Sequence, residues 1–171
     1  MTELEVQKAI YKNYYRTGYK FFIPNIYLFD WESDLLGVNT SDYLIEYEVK
    51  VTRADFKNDM KKKERHHTLE TGMKKKHSRK SYNVETGKYE ETNIGEIKAN
   101  RPNKFYYVCP KGVIKKEDVP SYCGLIYLDD RYLRQIKAAP FLHKRKINDK
   151  FYKKVFLSVV CRFTELKFKE V

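Results

Sequence analysis

The sequence predicts one α/β domain, a mixed β-sheet with helices on its sides. Three features lead to that class. Short apolar runs of strand length alternate along the chain with stretches of helical spacing. Residues 34–38 and 43–50 flank an Asn39-Thr-Ser-Asp42 turn, which is the pattern of a β-hairpin. Late in the chain a strand, a short helical segment and another strand follow each other, an order that suggests a crossover joining parallel strands. A length of 171 residues with 42% apolar content suits a single domain with a real core.

Taken in order, residues 2–17 predict a helix. Thr2 is its cap, Glu3 and Glu5 sit in the first turn where the dipole favours negative charge, and Leu4, Ile10, Tyr11 and Tyr14 form its apolar stripe. Glu3 and Gln7, four apart, share a face. Pro24 and Asn25 interrupt the next segment, so an extended connection is expected, followed by a first strand over residues 26–31. On the second arm of the hairpin, Glu46, Glu48 and Lys50 point one way while Ile45, Tyr47 and Val49 point the other. If the hairpin folds about Ser41, Asp34 lies opposite Glu48, with Cβ atoms roughly 4.5–5.5 Å apart. Thr52, with Asp55 three positions on, caps a helix that runs on through the lysines to His67, with Ala54, Phe56 and Met60 towards the sheet. Residues 105–109 and 124–128 read as buried strands. A final helix begins at Asn148, with Phe151, Val155, Val159 and Phe163 at helical spacing to cover a sheet face.

The net charge of +12 favours a polyanionic partner, nucleic acid first. Cys109, Cys123 and Cys161 are odd in number and lack a C-x-x-C pair, which argues against a disulfide framework and a zinc ribbon and for a reducing compartment. Without a long apolar run or signal-peptide pattern, the chain reads as cytoplasmic with no membrane span. The four histidines lack zinc-ligand spacing. No Gly-rich phosphate loop or nucleophile elbow is present, so neither a nucleotide cofactor nor Ser-His-Asp hydrolysis is expected.

An Asp, a Glu and a Lys in one small site suit metal-assisted phosphodiester hydrolysis. The carboxylates hold a divalent cation that lowers the pKa of a bound water, and the lysine steadies developing charge or orients the nucleophile. The spacing D-x(n)-E-x-K from Asp34 through Glu48 to Lys50 resembles the signature of the PD-(D/E)XK nuclease superfamily. Glu46-Tyr-Glu-Val-Lys-Val-Thr-Arg-Ala-Asp-Phe-Lys-Asn-Asp is similar to the E-x-K-x-S-R-x-D-F-x-x-D run of its MmcB-like DNA-repair branch. The similarity resumes at Asn103-Lys-Phe-Tyr-Tyr-Val-Cys-Pro, at Val119-Pro-Ser-Tyr-Cys-Gly-Leu-Ile-Tyr-Leu-Asp and at Ile136-Lys-Ala-Ala-Pro, in the same order.

The resemblance implies a restriction-endonuclease-like core, a DNA substrate with RNA still open, and Mg²⁺ or Mn²⁺ as cofactor. It assigns Asp34, Glu48 and Lys50 as catalytic, with Asp34, Glu48, the Val49 carbonyl and Glu3 as metal ligands; Glu5 is the reserve to Glu3, and Glu46 stands behind the ligands. DNA repair, recombination or phage and bacterial DNA processing is the implied setting, and a homodimer is left open. The resemblance does not imply activity, since members of the superfamily lose it.

The chain departs from the family pattern at residues 68–102, which form a basic insertion within the domain. It is expected as a mobile excursion lying over nucleic acid, with a short hairpin about Thr86 and Gly87. Candidate contacts are Arg53, Lys61, Lys62, Lys63, Lys74, Lys75, Lys76, Arg79 and Lys80. Two functions therefore compete: a metal-dependent nuclease, and a catalytically inactive nucleic-acid-binding module on the same fold.

Overall fold

A computed structural model describes residues 1–15, 17–75, 79–92 and 95–169. Its centre is a six-stranded mixed sheet. The strands are β1 (Tyr19–Tyr27), β2 (Glu32–Asn39), β3 (Leu44–Val49), β8 (Lys104–Pro110), β9 (Gly124–Asp129) and β10 (Tyr132–Lys137), in that spatial order. The hairpins β1–β2, β2–β3 and β9–β10 are antiparallel, whereas β3–β8 and β8–β9 are parallel. α1 (Glu3–Tyr14) packs on one face through Val6 and Ile10, which join Leu35, Ile45, Tyr47, Val49 and Val108 in one apolar cluster. On the other face, Phe56 of α2 (Arg53–Asp59) and Leu69 of α3 (Lys63–Thr71) pack on Phe105, Tyr107 and Leu125. Val155 of α4 (Asp149–Phe168) packs there too, on Ile23, Leu36 and Val38.

The hairpin register follows the alternation in the sequence. Leu35 pairs with Tyr47, Leu36 with Glu46 and Val38 with Leu44, so the ladder turns about Ser41 and its next rung sets Asp34 across from Glu48. Asn39 tightens the turn by accepting from the Ser41 and Tyr43 amides. Gly37 lies under the rings of Tyr19 and Phe22, where a Cβ would stand 2.8 Å from either ring, too close for any side chain. The two predicted caps form, Thr2 in a full capping box with Glu5 and Thr52 on the Asp55 amide, and Asn148, where the last helix was expected to begin, caps it on the Phe151 amide.

Several expectations are corrected. The first strand runs over Tyr19–Tyr27 rather than residues 26–31, straight through Pro24, because β1 is an edge strand and a missing donor there costs little. Asn25 beside it takes a left-handed φ of 47°, a conformation asparagine tolerates. α1 stops at Tyr14, and it buries Val6, Gln7 and Ile10 while Leu4 and Tyr11 stay largely exposed. Ala54 is exposed as well. The parallel crossover from β8 to β9 holds only a single 3₁₀ turn, Lys116–Asp118, and β10 follows β9 as an unforeseen edge strand. The C-terminal helix does not cover a face along its whole length: Val155 is buried, but Val159 is 43% and Phe163 63% exposed.

The segment 68–102 holds two antiparallel ladders. β4 (Met73–Lys75) pairs with β7 (Glu96–Lys98), and β5 (Arg79–Asn83) pairs with β6 (Lys88–Thr92) around the turn that contains Thr86 and Gly87. Among the described residues of these ladders, Val84 and Ile97 are exposed. Among the described residues no helix is long and apolar enough to cross a membrane, and all three cysteines are free.

Candidate functional site

The site is built at the end of β3, where period-two alternation sends Glu46, Glu48 and Lys50 to the α2–α3 face. Glu46 is fully buried and Glu48 is 2% exposed. Buried carboxylates of this kind need partners. The main partner is Arg65 of α3, whose Nη1 and Nη2 reach Glu48 Oε1 and Oε2 at 2.8 and 2.5 Å, while Nη2 also reaches Glu46 at 3.0 Å. Arg65 is sandwiched between rings, 5.4 Å from the Trp31 centroid and 5.2 Å from that of Phe105. Trp31 Nε1 donates to Glu46 Oε1 at 2.8 Å, and Glu46 Oε2 is buried without a hydrogen bond among the described residues.

Arg65 reaches the site because the expected single helix is broken. On a continuous helix, six positions at 3.6 residues per turn would turn Asp59 and Arg65 about 120° apart. The chain instead leaves helical geometry at Lys62, with φ −76° and ψ 66°, and α3 restarts so that Arg65 Nη1 lies 3.1 Å from Asp59 Oδ1. Asp59 is the last residue of the Glu46–Asp59 run, a position without an expected role. It is 1% exposed and collects Tyr107 OH at 2.7 Å, Lys62 at 3.0 Å, His66 at 3.4 Å and Lys50 at 3.8 Å. Burial opposes its ionisation, but His66, Arg65, Lys50 and Tyr107 together hold its carboxyl far below the usual range.

Asp34 stands across the hairpin. Its Oδ2 accepts the Val49 amide at 2.7 Å, and no hydrogen bond engages Oδ1 among the described residues. Burial first, then the Glu48 charge, push its pKa up to about 7 against the pull of Lys50 and the Val49 amide. Glu46 is pushed up to about 7 in the same way, by burial and by Glu48, with Arg65 pulling back. Lys50 donates to Glu48 Oε1 at 2.7 Å. Burial disfavours its charge, yet Glu48, Asp59 and Asp34 outweigh that and raise its pKa, so it stays an ammonium.

A cleft opens onto this cluster, lined by Glu3, Asp34, the Val49 main chain, Lys50, Asp59 and Lys62. Glu3, Asp34, Val49 and Lys50 are thus brought together as expected. Gln7 fixes two of them, donating to Glu3 Oε1 at 2.8 Å and to the Asp34 carbonyl at 3.0 Å. Glu48 is different: it lies behind the cleft with both oxygens on Arg65. Glu5 is engaged in the Thr2 cap instead.

The fit to a hard dication follows from charge. Four carboxylates, Asp34, Glu46, Glu48 and Asp59, surround two inner cations, Lys50 and Arg65. Burial first, and the Glu48 charge after it, oppose the ionisation of Asp34 and Glu46, and a cation at the free Asp34 oxygen would favour the ionised form there. Among the described residues no three His, Cys, Asp or Glu side chains cluster as a ready-made cage. An ion held by one or two carboxylates, a carbonyl and waters is the arrangement magnesium favours. In the cleft the oxygens that could take part in such a set are those of Asp34 and Glu3, whereas Glu48 would have to share with Arg65.

Beside the cleft runs a larger groove of about 1180 Å³ between the α2–α3 corner, β4 and the β1–β2 corner. Lys61, Lys62, Lys63, Lys74 and Lys75 line it, and Lys62 borders the cleft as well. Of the other predicted contacts, Arg53 pairs with Asp118 at 2.7 Å and does not line the groove. Arg79 and Lys80 lie on β5. Lys76 lies outside the described residues.

No protein-family model matches the chain, and no curated protein matches it. Among solved structures, a protein of unknown function from Silicibacter pomeroyi superposes with a TM-score of 0.61, covering 99% of this chain and 94% of that one at 14% identity. The likeness is one of fold. It supports a single α/β unit whose sheet and flanking helices form one architecture.

Proposed function

We propose that the protein is a divalent-metal-dependent nuclease of the PD-(D/E)XK type, akin to the MmcB-like branch, that hydrolyses phosphodiester bonds in DNA during repair, recombination or DNA processing. What carries the reading is the cleft itself: Asp34, with its ionisation opposed by burial and by Glu48, opens to the same space as Lys50, the Val49 main chain and Glu3. Mg²⁺ or Mn²⁺ bound there would supply Lewis acidity and a water of lowered pKa. Asp34 and the Val49 carbonyl would hold it, with Glu48 and Glu3 behind them. Lys50 acts as a fixed positive charge against the developing negative charge on phosphate, because its neighbours keep it protonated. The Asp59–Arg65 pair holds Glu48 and Lys50 in place. A reducing, cytoplasmic setting fits three free cysteines.

The test is cleavage of labelled DNA in Mg²⁺ or Mn²⁺, with an EDTA control. Asp34→Asn and Lys50→Ala are expected to abolish product, each by at least a hundredfold, without loss of fold. Undiminished cutting by both variants removes the assignment. One observation favours the second reading, a binding module without catalysis: both Glu48 oxygens are satisfied by Arg65. Metal-independent binding by the parent, with no product on any substrate, would establish it.

A further inference from the structure

We propose that the groove between α3, β4 and the β1–β2 corner is a channel for single-stranded nucleic acid, whose backbone it hands to the acidic cleft. What the strand undergoes there rests on the nuclease reading; its binding in the groove does not. Five lysines against Asp30 and Glu64 give the groove a surplus of positive charge along its length. Lys74 is held at 2.6 Å by Asp30 across the groove, which ties β4 to the β1–β2 corner. That charge suits any polyanion, duplex included.

An aromatic residue narrows the choice. Tyr27, on the groove wall, is 65% exposed, and its hydroxyl donates to the Asp30 carbonyl at 2.9 Å, which fixes the ring while leaving a face open. A duplex has already stacked its bases on one another, so it can satisfy the lysines but not the open Tyr27 ring. An unpaired strand offers phosphates to the lysines and a base face to Tyr27 at once. Lys62 then joins the two sites, since it lines the groove and lies 3.0 Å from Asp59 in the cleft.

The test is fluorescence anisotropy in EDTA, where no cutting occurs, with labelled DNA and RNA strands of one length and sequence and the matching DNA duplex. At least one single strand is expected to bind more tightly than the duplex. Tyr27→Ala is expected to weaken that binding between roughly five- and a hundredfold, with Tyr27→Phe retaining it. Changing Lys61, Lys63 and Lys75 together to alanine should lower the slope of log affinity against log salt by about 2. A duplex bound as tightly as the better-bound strand, an unweakened Tyr27→Ala, or no binding at all overturns the channel. Because binding is read without metal, a protein that binds strands and never cuts loses only the nuclease reading. One that cuts duplex with no strand preference loses only the channel.

Discussion

On one side of β3, Ile45, Tyr47 and Val49 pack against α1 and the neighbouring strands, and the Tyr47 hydroxyl meets that of Tyr19 at 2.5 Å. On the other side, Glu46 and Glu48 are just as dry, yet they are held by Arg65, Lys50 and Trp31. The apolar side stabilises the fold, since burying a large side chain gains about 1.5–3 kcal/mol. The ionic side does not follow that logic. Removing charges from water costs several kcal/mol per ion, and well-packed hydrophobic residues often replace such networks without loss. The two sides of one strand are therefore equally buried but held by different forces, apolar packing on one and paired charges on the other.

The largest effect that would break this contrast is expected at Arg65. Arg65→Met strips Glu46, Glu48 and Asp59 of their shared counter-ion and should cost about 3–5 kcal/mol in urea unfolding at neutral pH. Ile45→Ala, on the apolar side, should cost about 2–5 kcal/mol whatever the pH. The Arg65 loss should shrink in acid as carboxyls protonate, and two losses with the same pH dependence would erase the distinction.

A smaller effect of opposite sign is expected at Asp34. Its folded pKa, about 7, lies above the ordinary carboxylate value, so the folded state binds the proton more tightly than the unfolded state does. Stability is therefore greatest below the unfolded pKa and falls as pH rises towards about 7. Glu46 adds a fall in the same window. Asp34→Asn should stabilise the metal-free protein by on the order of 2 kcal/mol at pH 8 and by nothing near pH 4. Thermal melts across that range would decide it, and an unchanged midpoint at pH 8 would sink the account. A variant that gains stability while losing cleavage is the mark of a residue kept for function.

The smallest effect concerns what holds the two sides apart. Thr52→Ala removes the cap of α2, the helix that carries Asp59, and should cost about 1 kcal/mol. A loss within error in chemical denaturation would mean that the Asp59 contacts, not the cap, fix that helix.

Much of this site was legible one residue at a time. Placing Asp34 against Glu48 needed only the turn at Asn39 and the alternation of β3. Glu3 with Gln7 needed only helical spacing. Arg65 was not legible, because Lys61, Lys62 and Lys63 carry no sign that the helix must break among them. Asp59 had a signal, as the end of the quoted run, but its burial depends on Tyr107 and His66 arriving from elsewhere. The C-terminal helix misled in the other direction, since apolar spacing shows what a helix is able to bury and not how much sheet lies beneath it.

The sequence by itself determined the helix caps, the hairpin register about Ser41 and the sorting of β3 into an apolar and an ionic side. Each depends on hydrogen bonds and side-chain directions within a few residues. Only the tertiary structure decided that Glu48 is held by a guanidinium 17 positions away, that β1 runs through Pro24, and that the lysines of two separate segments face one groove. Those outcomes turn on desolvation and charge among groups far apart in the chain. Where the sheet brings such groups together, the local pattern has no say.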